Sequence, residues 1–207
     1  MCLPTPFVND TLDLSCLEEA AEEVGRYLDS ETVVVRSTVI PGTTKRLSSL
    51  IPSESLVYNP EFLREAYAVE DFMNPHRIVI GAASSKAAIT LRELYHGFDA
   101  PIIETDWETA EMAKLVSNAF LATKISFFNE IWLICQRLSL EMEEIIRIVA
   151  LDKRIGPYGT QGGKPFGGKC LPKDVEALIN FAKRGGEDPK LLDATLNING
   201  RFHQDAS

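Results

Sequence analysis

Four groupings of residues in this chain have types and spacings that could do chemistry. The stretch Pro165-Phe166-Gly167-Gly168-Lys169-Cys170-Leu171-Pro172-Lys173-Asp174 sets two adjacent glycines ahead of a cysteine and a lysine-aspartate pair just after it. Glycines 162, 163, 167 and 168 let the backbone take unusual angles and approach a ligand closely. Pro172 marks the first turn of a following helix, so Cys170 stands at a helix N-terminus. Unpaired N–H groups there lower a thiol pKa from about 8.5, and Lys169 and Lys173 add positive charge. A thiolate nucleophile follows; the alternative is a structural cysteine beside a flexible loop.

Lys114 and Asn118, four residues apart in an otherwise apolar stretch, share a helical face. A lysine turned into a closed site could stabilise a developing alkoxide, and an asparagine could hold a hydroxyl or a water; the alternative is a solvated stripe. Glu61 and Glu65 show the same i, i+4 spacing after an Asn59-Pro60 turn signal. They could orient a substrate or transfer protons, or form an exposed acidic face. Ser37 and Thr38 close a β-branched run, and open α/β sheets bind ligands just beyond such carboxyl ends. Thr5, within Cys2-Leu3-Pro4-Thr5-Pro6, is the polar candidate at a similar strand end.

The elements that must position these groups follow from periodicity and punctuation. Over residues 1–104 helix-like and strand-like segments alternate, the pattern of a parallel α/β sheet. Residues 14–28 read as an amphipathic helix with a Ser15…Glu18 capping box. Strands are expected at 32–39, stopped by Pro41-Gly42, then at 55–58, 77–82 and 101–105, with a helix over 85–98. Thr105…Glu108 is a second capping-box spacing, and neither glycine nor proline interrupts the chain from there to about Leu138. Some thirty helical residues would span about 45–50 Å at 1.5 Å per residue. The apolar residues of that helix, among them Val116, Phe120, Phe127 and Ile134, wrap much of its surface, so a partner chain is expected to cover some of them. Further helices are expected over about 141–150, from Leu171 to Gly185-Gly186, and through the last stretch.

Composition excludes several classes. The 207 residues are long enough for one large domain or two small ones, and 45% hydrophobic with 25% charged residues is an ordinary globular balance. No apolar run is long enough to span a bilayer, and the first ten residues lack the features of a signal peptide, which points to the cytoplasm. A net charge of −9 argues against nucleic acid as a partner. The four cysteines form no C-x-x-C pair and the three histidines lie far apart, so no metal site is expected and the thiols are expected to be reduced.

Taken in order, CLPTP, STVIPGTT, NPEFLREAYAVEDF with PHRIVIG, TAEMAKLVSNAFLATKISFFNEI, DKRIG and PFGGKCLPKD resemble the UDP-glucose/GDP-mannose dehydrogenase family across nearly the whole chain. Members oxidise the primary alcohol of a nucleotide sugar to a carboxylate with NAD. The resemblance implies the later part of a Rossmann-like parallel sheet over 1–104, then an all-α dimerisation domain with one long helix over 105–207. It implies Cys170 as the nucleophile that captures the aldehyde, Lys114 as the cation that neutralises the oxyanion, and Asp174 as the group that moves a proton or positions water. Asn118, Glu61 and Thr38 would support them. Thr5, Ser37, Glu65 and Lys173 would lie on the cofactor side. Phe166 and Gly167 would meet the substrate, and Arg154 would reach the neighbouring subunit's sugar-nucleotide site in a homodimer.

The chain departs from the family pattern in three ways. It has no G-x-G-x-x-G turn, so the pyrophosphate-binding half is expected to be missing and this chain alone is expected to bind NAD poorly and turn over little. It is expected to stop near the start of the family's sugar-nucleotide domain. Lys169 and Pro165 stand where smaller residues are common. Two other readings are a non-catalytic dimeric α/β module and a β-hydroxyacid-type dehydrogenase, which carries a similar lysine-asparagine helix but needs no nucleophilic cysteine.

Overall fold

The computed structural model describes residues 1–28 and 31–204. It divides into two compact units, Met1–Leu115 and Val116–Ser207.

The first unit opens with a hairpin, β1 (Phe7–Val8) and β2 (Thr11–Leu12). Its two turn residues, Asn9 and Asp10, sit at φ 51° and 60°, the left-handed region that such tight turns require. Helix α1 (Ser15–Tyr27) follows as expected and buries Leu17 and Ala21. Its start corrects the capping-box reading: Ser15 already lies inside the helix, and Asp13 accepts the Ser15 N–H at 3.0 Å.

A four-stranded sheet has the order β3 (Val33–Val35), β4 (Leu56–Tyr58), β5 (Ile78–Ala82), β6 (Ile102–Thr105). The outer ladders are parallel, but β5 runs antiparallel to β4, with Tyr58 opposite Gly81. The sheet keeps the expected parallel pairing in its outer ladders and departs from it at this junction. Between β4 and β5 the chain forms only a single 3-10 turn (Glu65–Tyr67) and the six-residue α3 (Ala68–Met73). It therefore re-enters the sheet from the edge at which it left. Strand β3 is also shorter than the 32–39 expected. Beyond it the Ser37 hydroxyl accepts the Leu3 N–H and donates to the Leu3 carbonyl, both at 2.8 Å, and these bonds replace a ladder. The first residues lie beside β3, where the Arg36 N–H donates to the Met1 carbonyl at 2.9 Å.

The apolar strands bury their faces against α2 (Thr43–Leu47) and α4 (Ser85–Leu94). Ile78, Ile80, Val57, Ala87, Ala88, Leu91 and Tyr95 form one core cluster. A buried polar knot crosses the sheet: Asn59 Nδ2 donates to the Val79 carbonyl at 2.7 Å, while Asn59 Oδ1 accepts from the Tyr95 hydroxyl at 2.7 Å and from Arg36.

Helix α5 (Trp107–Leu138) is the long uninterrupted helix foreseen. Its cap is Asp106 rather than Thr105: the Thr109 hydroxyl and N–H donate to Asp106 at 2.7 and 2.8 Å, bonds that hold that carboxyl below its ordinary pKa. In the second unit, α6 (Met142–Val149), α7 (Leu171–Arg184) and α8 (Lys190–Gln204) complete the helices. Phe128, Cys135 and Met142 form a core between α5 and α6. Helix α8 is tied to α5 by the Ser126 hydroxyl donating to the Thr195 carbonyl at 2.7 Å and by an edge-on Trp132–Phe202 contact.

Candidate active site

In the first unit, the carboxyl ends of β3 and β4 share one edge with the amino end of β5. That edge gathers Thr5, Ser37, Thr38 and the Asn59–Phe62 segment. Thr5 and Ser37 are buried, and the Thr5 hydroxyl donates to the Thr38 carbonyl at 2.7 Å. With Ser37 closed on Leu3, these hydroxyls shape the edge and hold two chain segments side by side.

Lys114, on α5, is 3% exposed and places its Nζ 3.0 Å from Glu61 Oε1. The second oxygen of Glu61 accepts the Leu63 N–H at 2.7 Å. Phe62 lies 5.5 Å from the same ammonium by its ring centroid and 3.7 Å from the Arg77 guanidinium. Burial lowers the pKa of Arg77, and the ring face offers its cation a substitute for water. Glu65 is exposed, in the short 3-10 turn. Residues 59–64 form no helix, so the i, i+4 spacing of Glu61 and Glu65 does not put them on one helical face, and that part of the sequence reading is corrected.

Glu111 is a second buried carboxylate of this unit. It accepts from the Gly42 N–H at 2.6 Å, the Thr44 N–H at 2.7 Å and the Thr44 hydroxyl at 2.6 Å. Gly42, at φ 92°, gives the turn its shape. Burial raises the Glu111 pKa against the pull of those bonds.

In the second unit, Cys170 is exposed and sits at the position preceding α7, with Pro172 in the first turn as expected. The Asp174 N–H donates to the Cys170 carbonyl at 2.9 Å, which closes the first helical hydrogen bond. The Asp174 carboxylate is fully buried. Asn118 Nδ2 donates to its Oδ2 at 2.6 Å. Lys173 Nζ stands 2.8 Å from Oδ1, close enough for an ion pair but outside hydrogen-bond angles, so among the described residues Oδ1 keeps an acceptor unused. One oxygen of this buried carboxylate is thus fixed by an amide and the other faces an ammonium.

The glycines divide by role. Gly163 and Gly168 have φ of 86° and 76°, which favours glycine. Gly162 and Gly163 face Trp132: a Cβ built on Gly162 would lie 2.4 Å from the Trp132 Cβ. These two make room for α5 and not for a ligand, which corrects part of the sequence reading. Among the described residues nothing lies within 4 Å of a Cβ built on Gly167, and Phe166 beside it is buried. Arg154 projects with 89% of its side chain exposed, held by Asp152 at 2.6 Å. Among the described residues no cluster of metal ligands occurs and no helix is long and apolar enough to cross a membrane.

Sequence reasoning missed Glu111, Phe62, Asn129 and Asn199. The first three lie inside stretches that carry the resemblance, yet all four act through backbone, hydroxyl or ring contacts that no spacing rule encodes.

Residues 1–99 match the model of the UDP-glucose/GDP-mannose dehydrogenase family, NAD binding domain, and residues 108–201 that of its central domain. The UDP-glucose 6-dehydrogenase TuaD of Bacillus subtilis (strain 168) is 43% identical over 195 residues, covering 90% of this chain and 42% of the relative. The UDP-glucose 6-dehydrogenase AglM of Haloferax volcanii is 37% identical, covering 96% of this chain and 51% of the relative. A UDP-glucose dehydrogenase structure from Pyrobaculum islandicum matches at TM-score 0.91 and 40% identity, over 97% of this chain and 49% of that one. A ternary complex of GDP-mannose dehydrogenase from Pseudomonas aeruginosa matches at TM-score 0.70 and 33% identity, over 99% and 51%. The chain spans about half the length of the curated relatives it matches.

Proposed function

This chain belongs to the UDP-glucose/GDP-mannose dehydrogenase family, and from that premise we propose that it serves the NAD-dependent oxidation of a nucleotide-sugar primary alcohol to a carboxylate through covalent capture on Cys170. The observation that carries this reading is the exposed cysteine at the start of α7, four residues before a buried Asp174 that Asn118 and Lys173 hold from its two oxygens.

The carboxyl edge of β3 and β4, walled by Thr5, Ser37 and Thr38 with Glu65 exposed nearby in sequence, suits a dinucleotide, because ligands of open α/β sheets lie beyond strand carboxyl ends. Lys173 is also assigned to the cofactor. NAD, when bound, accepts a hydride in each of two oxidations.

The alcohol carbon first loses a hydride and its hydroxyl loses a proton, giving the aldehyde. The Cys170 thiolate adds to that carbon, forming an S–C bond, and the oxygen takes a proton to give a thiohemiacetal. Loss of a second hydride and of the hydroxyl proton leaves a thioester. Water then adds to the thioester, the S–C bond breaks, and the carboxylate and thiolate are released. In sum, one alcohol, one water and two NAD become one carboxylate, two NADH and three protons. Lys114 is assigned the developing oxyanion, a buried cation being effective at that task in low dielectric, with Glu61 holding it. Asp174, steadied by Asn118, is assigned the hydrolytic water. Phe166 and Gly167 are assigned to the sugar nucleotide, and Arg154 to that of a neighbouring subunit.

A homodimer through α5 is part of the proposal. Phe120, Phe127 and Ile134 recur at seven-residue spacing and are 65%, 54% and 46% exposed, a seam that a second copy of the helix would cover. Exposed thiols at Cys2, Cys16 and Cys170 suit the reducing cytoplasm, where we place the protein.

The test is iodoacetamide alkylation with peptide mapping. A Cys170 rate about tenfold or more above those of Cys2 and Cys16 is expected from a stabilised thiolate; equal rates overturn the reading. This chain alone is expected to turn over little, but whatever turnover it shows with UDP-glucose must yield two NADH per uronate and vanish in Cys170→Ser, whereas one NADH with free aldehyde overturns covalent capture.

A further inference from the structure

Phe166 is fixed by a residue that no motif points to. Asn199, in the middle of α8, accepts the Phe166 N–H on Oδ1 at 2.8 Å and donates from Nδ2 to the Phe166 carbonyl at 3.0 Å. Asn199 is 5% exposed and Phe166 3%. A buried asparagine inside a helix forgoes the burial an apolar residue would bring, and it is tolerated where its amide is satisfied. Here the satisfaction comes from one loop residue's peptide groups, gripped by a donor and an acceptor at once. Such two-point contact fixes both the place and the rotation of the backbone and is indifferent to loop side chains.

The grip has a rigid base and a short reach. Helix α8 is bound to α5 through Thr195, which also donates from its hydroxyl to Thr123 Oγ1 at 3.0 Å, and through Phe202 on Trp132. A second asparagine, the buried Asn129 of α5, donates from Nδ2 to the Lys164 carbonyl at 2.8 Å. Past the grip only Gly167, Gly168 and Lys169 remain before Cys170, whose carbonyl is already in the first hydrogen bond of α7. The segment that carries the sulfur is thus strung between two fixed points, with its one left-handed residue, Gly168 at φ 76°, inside the span.

We infer that Asn199 is a positioning residue for the nucleophile: its amide clamp on Phe166 sets where the Cys170 thiol stands relative to the N-terminus of α7. The inference rests on the reading of Cys170 as the nucleophile. It assigns no contact with substrate to Asn199, which acts through the loop backbone alone. Asn129 is a second, weaker grip, with one hydrogen bond and two residues more of chain before the cysteine.

Alkylation of the 207-residue chain by iodoacetamide tests this, with rates read separately for Cys170, for exposed Cys16 and for buried Cys135. Cys16 is a fair standard because it also lies in a helical first turn, that of α1, without the glycine loop. Replacing Asn199 by Leu is expected to slow Cys170 relative to Cys16 by about tenfold or more, since displacements near 1 Å are costly to a poised group, while Cys135 stays protected. Asn129→Leu is expected to slow it less. Continued protection of Cys135 separates lost positioning from lost folding, which would open every thiol. Should Asn199→Leu expose Cys135, the milder Asn199→Ser, which keeps one hydroxyl for one of the two bonds, decides: a slowed Cys170 supports the clamp and an unchanged one overturns it. A wild-type Cys170 no faster than Cys16 overturns the nucleophile reading and the clamp with it. A fast wild-type Cys170 that stays fast in the folded Asn199 variants overturns the clamp alone.

Discussion

Asn118 Nδ2 stands 2.6 Å from Asp174 Oδ2, both side chains buried, so the amide fixes one oxygen of a carboxylate whose other oxygen faces Lys173 without a hydrogen bond. A hydrogen bond to a charged group is worth roughly 1.5–3 kcal/mol. Asn118→Leu is therefore expected to destabilise the protein by about 2 kcal/mol in urea unfolding and to impair thioester hydrolysis more than aldehyde formation. An unchanged midpoint would show that the pair contributes nothing.

The Lys114–Glu61 pair makes a second prediction. With the lysine side chain 4% and the glutamate 27% exposed, the pair is partly desolvated. Removing the partner of a buried charge costs about 3–5 kcal/mol, and less where water reaches one side. Glu61→Gln is expected to cost about 1–3 kcal/mol, whereas Lys114→Met is expected to leave the fold stable and to lower kcat by about a hundredfold or more. Equal losses of kcat in both variants would argue that Glu61 acts on substrate in its own right.

Much of this was legible in the sequence for a physical reason. The 32-residue α5 announces itself because nothing in it can break a helix, and α7 because Pro172 and the Gly185-Gly186 pair punctuate it. Cys170, Lys114, Asn118 and Asp174 stood out because reactive residue types fell among glycines or apolar neighbours. The antiparallel β4–β5 junction did not, since strand direction depends on how the link folds and Asn59–Arg64 has neither strand nor helix periodicity. Asn199 and Asn129 were illegible because an amide that binds backbone leaves no mark on the residues it grips. The capping boxes misled by one or two residues, because the neighbouring carboxylates Asp13 and Asp106 accept the Ser15 and Thr109 N–H groups in place of the spaced pairs.

Glycines of the cysteine loop should respond unequally to alanine. At Gly162 the new methyl would meet the Trp132 side chain and the Phe128 carbonyl, at 2.4 and 3.0 Å. Overpacking of that kind costs about 1–3 kcal/mol, so Gly162→Ala is expected to lower the unfolding midpoint with Cys170 reactivity intact in the folded fraction. Gly167→Ala meets nothing within 4 Å among the described residues and should leave stability unchanged. If it nevertheless weakens binding of a nucleotide sugar by calorimetry, the assignment of Gly167 to the ligand is supported; full affinity in the alanine variant would remove it.

The last prediction concerns pH. Burial raises the Glu111 pKa although Gly42 and Thr44 donate to both oxygens. A carboxyl whose folded value is raised holds its proton more tightly folded than unfolded, so its contribution is complete below the unfolded value of about 4.3 and is lost as pH rises through the folded value. Glu111→Gln cannot titrate, and its amide must set a donor against the Gly42 or Thr44 N–H. Wild type should thus be the more stable at every pH, with its advantage greatest in mild acid and smaller at pH 7. Paired urea titrations at pH 4.5 and 7 measure the difference. An advantage that grows toward pH 7 would mean that the three hydrogen bonds outweigh burial and that Glu111 is held as a carboxylate below its ordinary pKa.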